Sequence, residues 1–514
     1  MPRILAFLAF LRRPFVLDLR AMALMRIAVA AVVLTDLAIR STDLEAHYAN
    51  LGVLPLNVLY QFCWNPYQFS FHAITGLWQG EALLFLLAAA AAVALLLGYR
   101  TRLMTIISWL LLVSLQNRNP LIGQGGDDLM RMLLFWGIFL PWGRLYSLDA
   151  KGKEEPLDYQ YFSAATVAYI VQLCLVYWCT ALLKNAPEWS KEGTAIYYAL
   201  SLDQLLMPGG RLLYQHYNTM RFLTFATYYT EMLLPFVLFI PFGVKWWRLL
   251  FVGVLYSFHI GISLTLFVGL FYLINMASVL GLLPPWTMNW LDRHIRTRAQ
   301  RLGPRLAQWR PSLEHWRRLP FQFRVEASWH RSSHTNRRLR IMREAFVSLL
   351  LVYVCWWNLD SIAKPEWYMR EPIRWFGYLF RTDQHWGMFA PAVFKDDGWY
   401  ILDATTKNGQ HIDLNRKGRT VTYDKPESVM ALFKNDRWRK YSENYLFVSN
   451  AYMRPYYCNY LLRIWQEKHP DQLLRRLDVI YMKEISLPDY KVVPPTREVL
   501  CSCETELARQ APQQ

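Results

Sequence analysis

Charge is scarce in this sequence. Only 18% of its 514 residues are Asp, Glu, Lys or Arg, against roughly 25% in water-soluble globular chains. That shortfall excludes an ordinary soluble protein. Acids are the scarcer sign, 39 against 56 Lys and Arg, and the net charge of +17 looks like a nucleic-acid signal. Its placement argues otherwise. Much of the Arg lies between Arg293 and Arg343, directly between apolar segments, where basic residues report membrane topology. No nucleic-acid partner is expected. Cysteine is sparse too, with seven residues and no C-x-x-C pair, so no zinc pattern exists and no metal site is expected. At the N-terminus the apolar run Ile4 to Leu11 is followed by Arg12 and Arg13, an order that argues against a cleaved signal peptide. The run reads as an interfacial amphipathic segment. No internal repeat is evident.

What is present in excess is apolar and aromatic. Apolar residues make up 54% of the chain, and its 22 Trp and 30 Tyr suit membrane interfaces. A helix of about 20 apolar residues spans a bilayer, and apolar stretches read as the cores of such spans recur at Met25–Ile39, Ala82–Tyr99, Leu103–Leu115, Leu129–Trp142, Phe162–Leu183, Leu223–Phe242 and Ala345–Leu359. Leu249–Leu283 is broken by Gly261 and Gly269 and reads as two short spans or one span plus a re-entrant segment. Arg and Lys fall on alternate loops. The expected fold is therefore an all-α polytopic membrane bundle of about eight spans, with a small α+β extracytoplasmic C-terminal domain. Residues 1–285 form the transmembrane domain, 286–343 a basic cytoplasmic loop resting on anionic lipid as amphipathic helix, 344–360 the last span and 361–514 the outer domain. The localisation is a multi-pass membrane protein with its N-terminus in the cytoplasm.

In the outer domain, Trp399–Thr406 and His411–Leu414 read as a hairpin around Asn408-Gly409. Leu477–Ile485 reads as a further strand, and Pro426–Lys434, Glu443–Met453 and Tyr457–Glu467 as helices. Gln384 to Pro391 looks like a docking turn. A disulfide from Cys458 to Cys501 or Cys503 suits an oxidising compartment.

Four groups of residues carry chemistry. Lys184 closes a long apolar span, either as a snorkelling anchor or as a desolvated general base. The nearby Glu188 would hold it charged on contact, but Pro187 breaks the helix between them. Asn117, Arg118, Asp127, Asp128 and Arg131 belong to the run NRNPLIGQGGDD and its sequel, either as a helix-capping turn or as part of a pocket. Glu231 and His259 are ionisable groups inside spans, where cost favours the bundle interior. Each has a structural alternative: Glu231 can satisfy backbone freed by Pro235, and His259 can be a packing residue. Trp189 begins an aromatic loop able to exclude water from Lys184.

These segments together resemble the horizontally transferred transmembrane family, related to the vitamin K-dependent gamma-glutamyl carboxylases, in its bacterial form. The resemblance rests on NRNPLIGQGGDD, LLFWGIFLPWG, the SLDA element at Ser147 to Ala150, Lys184 with Trp189 and Gly193, and SFHIGISLTLFVGLF around His259, and it covers roughly Phe15 to Trp290. The segment MFAP with DDGWY resembles the tail of bacterial members. The resemblance implies a carboxylase-like or lyase-like membrane enzyme in which Lys184 is the base and His259 a second catalytic residue. Asn117, Arg118, Asp127, Asp128, Arg131, Trp189 and Glu231 would line a substrate or cofactor pocket. It also implies membrane lipid, a reduced quinone of the vitamin K type and an extracytoplasmic peptide or small substrate as partners. Arg144 stands where the carboxylases carry a functional His, and the tail is shorter than theirs. Both departures count against carboxylation of protein glutamate. The rival reading is a non-catalytic membrane protein that binds lipid or quinone or serves an assembly.

Overall fold

In the computed structural model, residues 2–307, 337–362 and 368–505 are described. Six helices are long and apolar enough to cross a membrane. They are α2 (Leu19–Ser41), α3 (Trp78–Leu97), α6 (Ala164–Leu183), α7 (Tyr217–Leu233, extended as 3-10 helix to Phe239), α8 (Val244–Thr265) and α11 (Arg337–Ile362). Between them lie α4 (Thr101–Arg118), α5 (Gly125–Gly137) and α9 (Phe271–Ser278), and α1 (Pro2–Arg12) and α10 (Pro285–Ala307) flank the bundle. The expected count of about eight spans thus stands at six by length and composition. The other three helices differ for physical reasons. α4 ends on Gln116, Asn117 and Arg118, and α5 has 13 residues, nearly all buried. A helix enclosed by protein does not have to match the bilayer.

Contacts sort the interhelical linkers onto two ends. At one end the C-terminal domain meets the linkers after α2, α4, α6 and α8. Lys434 pairs with Asp43 at 2.8 Å, Asn444 donates to Leu121 O at 2.7 Å, and Tyr490 donates to Tyr214 O at 2.7 Å. At the other end Leu17 pairs with Tyr161, Arg20 bonds Asp292 at 3.0 Å, and Asp149 accepts from the Arg100 N–H at 2.8 Å. The basic helix α10 lies at this second end. Its sequence-expected continuation through Met342 includes residues 308–336, outside the described residues.

α6 is the central pillar. Its apolar window is 72% buried, whereas those of α3, α7, α8 and α11 are only 22–33% buried. Leu86, Phe236, Leu264 and Leu349 on those outer helices are among the large apolar side chains left exposed. Such a belt on a soluble protein would aggregate, and lipid is the solvent it fits. On α1, Ile4, Phe7, Leu8 and Leu11 form an exposed stripe at helical spacing, the pattern of a helix lying in the interface.

The C-terminal domain is a five-stranded antiparallel sheet, ordered β3-β2-β1-β4-β5, from β1 (Asp396–Thr406), β2 (His411–Asp413), β3 (Arg419–Thr420), β4 (Leu474–Ile485) and β5 (Thr496–Glu504). Helix α12 (Glu371–Phe380) leads into it, and α13 (Asp436–Leu446) and α14 (Arg454–Lys468) accompany the sheet. The Asn408-Gly409 turn closes the first hairpin, with Gly409 at φ 80°, a conformation glycine adopts without steric cost. The helix expected over Pro426–Lys434 is only a 3-10 turn at Met430–Leu432. Pro426 and the Ser428 side chain favour a turn over continued helix. The helix expected over Glu443–Met453 begins earlier, as α13, and ends at Leu446 before a 3-10 turn. Cys458 on α14 is bonded to Cys503 on β5, and Cys501 is free.

Candidate functional site

α6 begins with a capping box, in which Ser163 and Thr166 satisfy each other's backbone N–H groups, and ends at Lys184. Residues spaced by three, four and seven share one helical face. On α6 the inward face therefore carries Tyr177, Thr180, Ala181 and Lys184 in line, all buried. Opposite stand Glu231 from α7, His259 from α8 and Asn275 from α9.

Lys184 is 3% exposed and its Nζ donates to Glu231 Oε2 at 2.5 Å. The Trp189 ring covers the ammonium, its centroid 4.2 Å from Nζ, and the indole N–H is held by Phe389 O at 3.0 Å. Burial pushes the Lys184 amine down from its usual pKa, more than the Glu231 carboxylate pulls it up. The group therefore gives up its proton more readily than an ordinary lysine, and the ammonium it forms on regaining one meets a carboxylate on one side and a π-face on another. Glu188 does not reach Lys184. It pairs with Lys395 of the C-terminal domain at 2.9 Å, because Pro187 turns the chain outward as the sequence suggested. The competitor for the lysine is Glu231 instead, so that carboxylate serves a cation, not the backbone freed by Pro235.

One turn to two turns deeper, the Tyr177 hydroxyl lies 3.0 Å from His259 Nε2 and donates to Asn275 Oδ1 at 3.2 Å. That pattern places a hydrogen on Nε2. His259 Nδ1 is then a bare lone pair, buried and without a protein partner, beside the Phe258 and Phe271 rings. An unmatched buried acceptor is costly and marks a place where a donor belongs. Both Glu231 and His259 face the bundle interior, at 5% and 1% exposure.

The remaining sequence candidates gather elsewhere. Asp127 accepts from Arg40 at 2.8 Å and from Arg437 at 2.5 Å, and Asp36 accepts from the same two guanidiniums at 2.7 and 2.6 Å. Asp127 also closes a capping box with Gln124. Arg131 bonds Asp128 at 2.9 Å and the backbone carbonyls of Arg381 and Asp383. Asn117 donates to Phe69 O and accepts from Arg381, and Arg118 donates to Leu54 O. Asn117, Asp127, Asp128 and Arg131 act as a seam between bundle and domain, whereas the bond of Arg118 stays within the bundle's own loops. None of them is bonded to Lys184. The larger of two described cavities, about 340 Å³, touches this seam at Asp128, and Lys184 lines neither. Among the described residues no cluster of His, Cys, Asp and Glu could hold a metal ion.

Sequence reasoning missed Tyr177, Asn275 and Arg437. Tyr177 was findable, seven residues before Lys184 on the same face. Nothing local distinguishes Arg437 from the other cations of the tail. No family model matches the chain, and no curated protein or solved structure matches it.

Proposed function

We propose that this chain is a multi-pass membrane enzyme in which Lys184 is the general base, with its C-terminal domain on the extracytoplasmic side. One observation carries the reading: a buried lysine with a depressed pKa, in short contact with Glu231 and covered by Trp189, sits where α6 meets the C-terminal domain. A proton taken by Nζ leaves an ammonium that Glu231 and Trp189 stabilise in place, so the site is organised for the charge it acquires. Glu231 lies on α7, whose apolar window is only 22% buried. A lipid-soluble acid is thus the natural substrate class. The disulfide between Cys458 and Cys503 supports an oxidising compartment for the domain.

The resemblance to the vitamin K-dependent carboxylases suggests a reduced quinone. The donor set suits it in one respect: a reduced quinone presents a phenol-type hydroxyl with a pKa of about 10, for which the free amine of Lys184 is an acceptor, with Glu231 beside it to stabilise the ammonium that results. When bound, such a ring would supply an acidic hydroxyl, and Lys184 and His259 are the residues to hold it. Because Trp189 closes over Nζ, access requires Trp189 or α7 to move. The non-catalytic alternative draws on the same closure, in which Lys184 is paired with Glu231 and covered by Trp189.

Mass spectrometry of lipids and quinones retained by the purified protein tests this. The base reading expects a lipophilic acid retained by the wild type and at least tenfold depleted in Lys184→Ala. Equal retention by both proteins would favour a lipid-binding or assembly role.

A further inference from the structure

The cavity of about 340 Å³ lies where the last turn of α11, helix α12 with the segment after it, and the first turn of α5 converge. It is separate from Lys184, and its occupant is independent of the function proposed for that residue. Its size is in the range of pockets that take small ligands. Its lining is dominated by charge: the carboxylates of Asp128, Asp360 and Asp383, the guanidiniums of Arg374 and Arg381, and the ring of Trp357.

The charges come in matched pairs. Arg374 bonds Asp360, Arg381 bonds Asp383 at 2.9 Å, and Asp128 is held from behind by Arg131 at 2.9 Å. Among the described lining residues three carboxylates face two guanidiniums, with Arg131 behind Asp128, so each guanidinium has a carboxylate beside it. A simple anion placed here gains from each guanidinium and loses to the adjoining carboxylate, and a simple cation does the reverse. A molecule with both signs gains at both ends, its acid group on the Arg fork and its ammonium on a carboxylate. Trp357, over which Arg374 lies at 5.3 Å, gives the cavity one apolar wall.

The setting selects the source. Leu359 on the last turn of α11, and Tyr368 and Trp375 beside the cavity, are exposed. Aromatic side chains with a wet tip mark the headgroup level of a bilayer. We infer that this cavity binds a zwitterion carrying a primary ammonium and an acid group, supplied as the headgroup of an ethanolamine phospholipid in the adjoining leaflet. A primary ammonium donates hydrogen bonds to carboxylates, whereas the quaternary group of a choline lipid cannot, so ethanolamine is preferred over choline.

The test is native mass spectrometry of the full chain, delipidated in detergent and re-exposed to phosphatidylethanolamine, phosphatidylcholine or phosphatidylglycerol of one acyl composition. A fourth arm offers free phosphoethanolamine. Wild type should retain the ethanolamine lipid at least fivefold over the other two. Arg374→Gln and Asp128→Asn should each abolish that preference. Asp128→Asn is isosteric but takes a charge from the buried Arg131, so each variant is compared with wild type by its melting temperature, and the lost preference is read at an unchanged value. Free phosphoethanolamine competing off the lipid supports the site. If it binds while the lipid does not, the zwitterion chemistry stands and the lipid source is overturned. Stronger retention of phosphatidylglycerol, equal retention of all three lipids, or unchanged preference in both variants would overturn the inference.

Discussion

The Lys184–Glu231 pair can be tested as a coupled unit. Both side chains are at most 6% exposed and the contact is 2.5 Å. At an effective dielectric of about 20, unit charges at that distance attract by roughly 6–7 kcal/mol. Burial of each ion costs several kcal/mol in return, so the net worth of the intact pair is small, while removal of one partner leaves an uncompensated charge costing about 3–5 kcal/mol. Lys184→Met and Glu231→Gln should therefore each destabilise the bundle by several kcal/mol, the lysine variant more because the carboxylate is left bare. The double variant should recover much of the loss, with a coupling energy of about 2–3 kcal/mol. The Trp189 contact, 4.2 Å from Nζ, adds about 1 kcal/mol to the lysine variant alone. The assay is reversible unfolding of the four proteins in mixed micelles. Additive effects, with a coupling below about 0.5 kcal/mol, would refute the picture of a desolvated pair.

Three further outcomes are expected. Burial and the neighbouring Asp203 push the Asp397 carboxyl up to about 7, so the folded state holds that proton more tightly than the unfolded chain. The domain contact should be strongest below about pH 4 and lose up to roughly 4 kcal/mol as pH rises through 7, a slope that Asp397→Asn removes in pH-dependent melting; an unchanged slope would contradict the assignment. Arg437→Gln takes away the cation shared by Asp36 and Asp127, leaving two buried carboxylates to Arg40. A loss of about 3–5 kcal/mol should appear as faster proteolysis of the C-terminal domain, and unaltered cleavage would show that the seam is held by other contacts. Cys503→Ser opens a closed loop with a sequence separation of 45, worth about 4 kcal/mol in chain entropy. Non-reducing peptide mapping of protein from an oxidising compartment should find Cys458 joined to Cys503, and recovery of Cys458 with Cys501 would contradict the pairing.

Much of the bundle was legible because hydropathy and loop charge are strong signals. The six long helices fall where apolar runs separate basic from non-basic loops. α4, α5 and α9, which the sequence offered as spans or parts of spans, are not long and apolar enough to count as such, since a helix enclosed by protein need not match the bilayer, and enclosure is a tertiary property. In the outer domain the Asn408-Gly409 hairpin was readable from turn chemistry. β5 was not, because Thr496 to Glu504 alternates weakly and is a mostly exposed edge strand. At the site, desolvation cost correctly placed Glu231 and His259 inside. It could not name their partners. The lysine's partner lies 47 residues away, and sequence proximity pointed to Glu188. The run from Asn117 to Arg131 illustrates the converse. A polar, glycine-rich loop reads equally as pocket or as joint, and the arrival of Arg381, Asp383 and Arg437 from the distant C-terminal domain makes Asn117, Asp127 and Arg131 part of a joint, while Asp128 also lines the cavity beside it.

The most direct test is the protonation of Lys184 itself. Wild-type protein in nanodiscs is exposed to a small membrane-permeant amine-reactive probe across a range of pH, and modification is read peptide by peptide. Burial lowers the amine's pKa and Glu231 opposes that. Half-maximal modification of Lys184 should therefore come below the ordinary lysine value of about 10.4, and lower still in Glu231→Gln. A midpoint near that ordinary value in both proteins would contradict a base and leave an interfacial anchor.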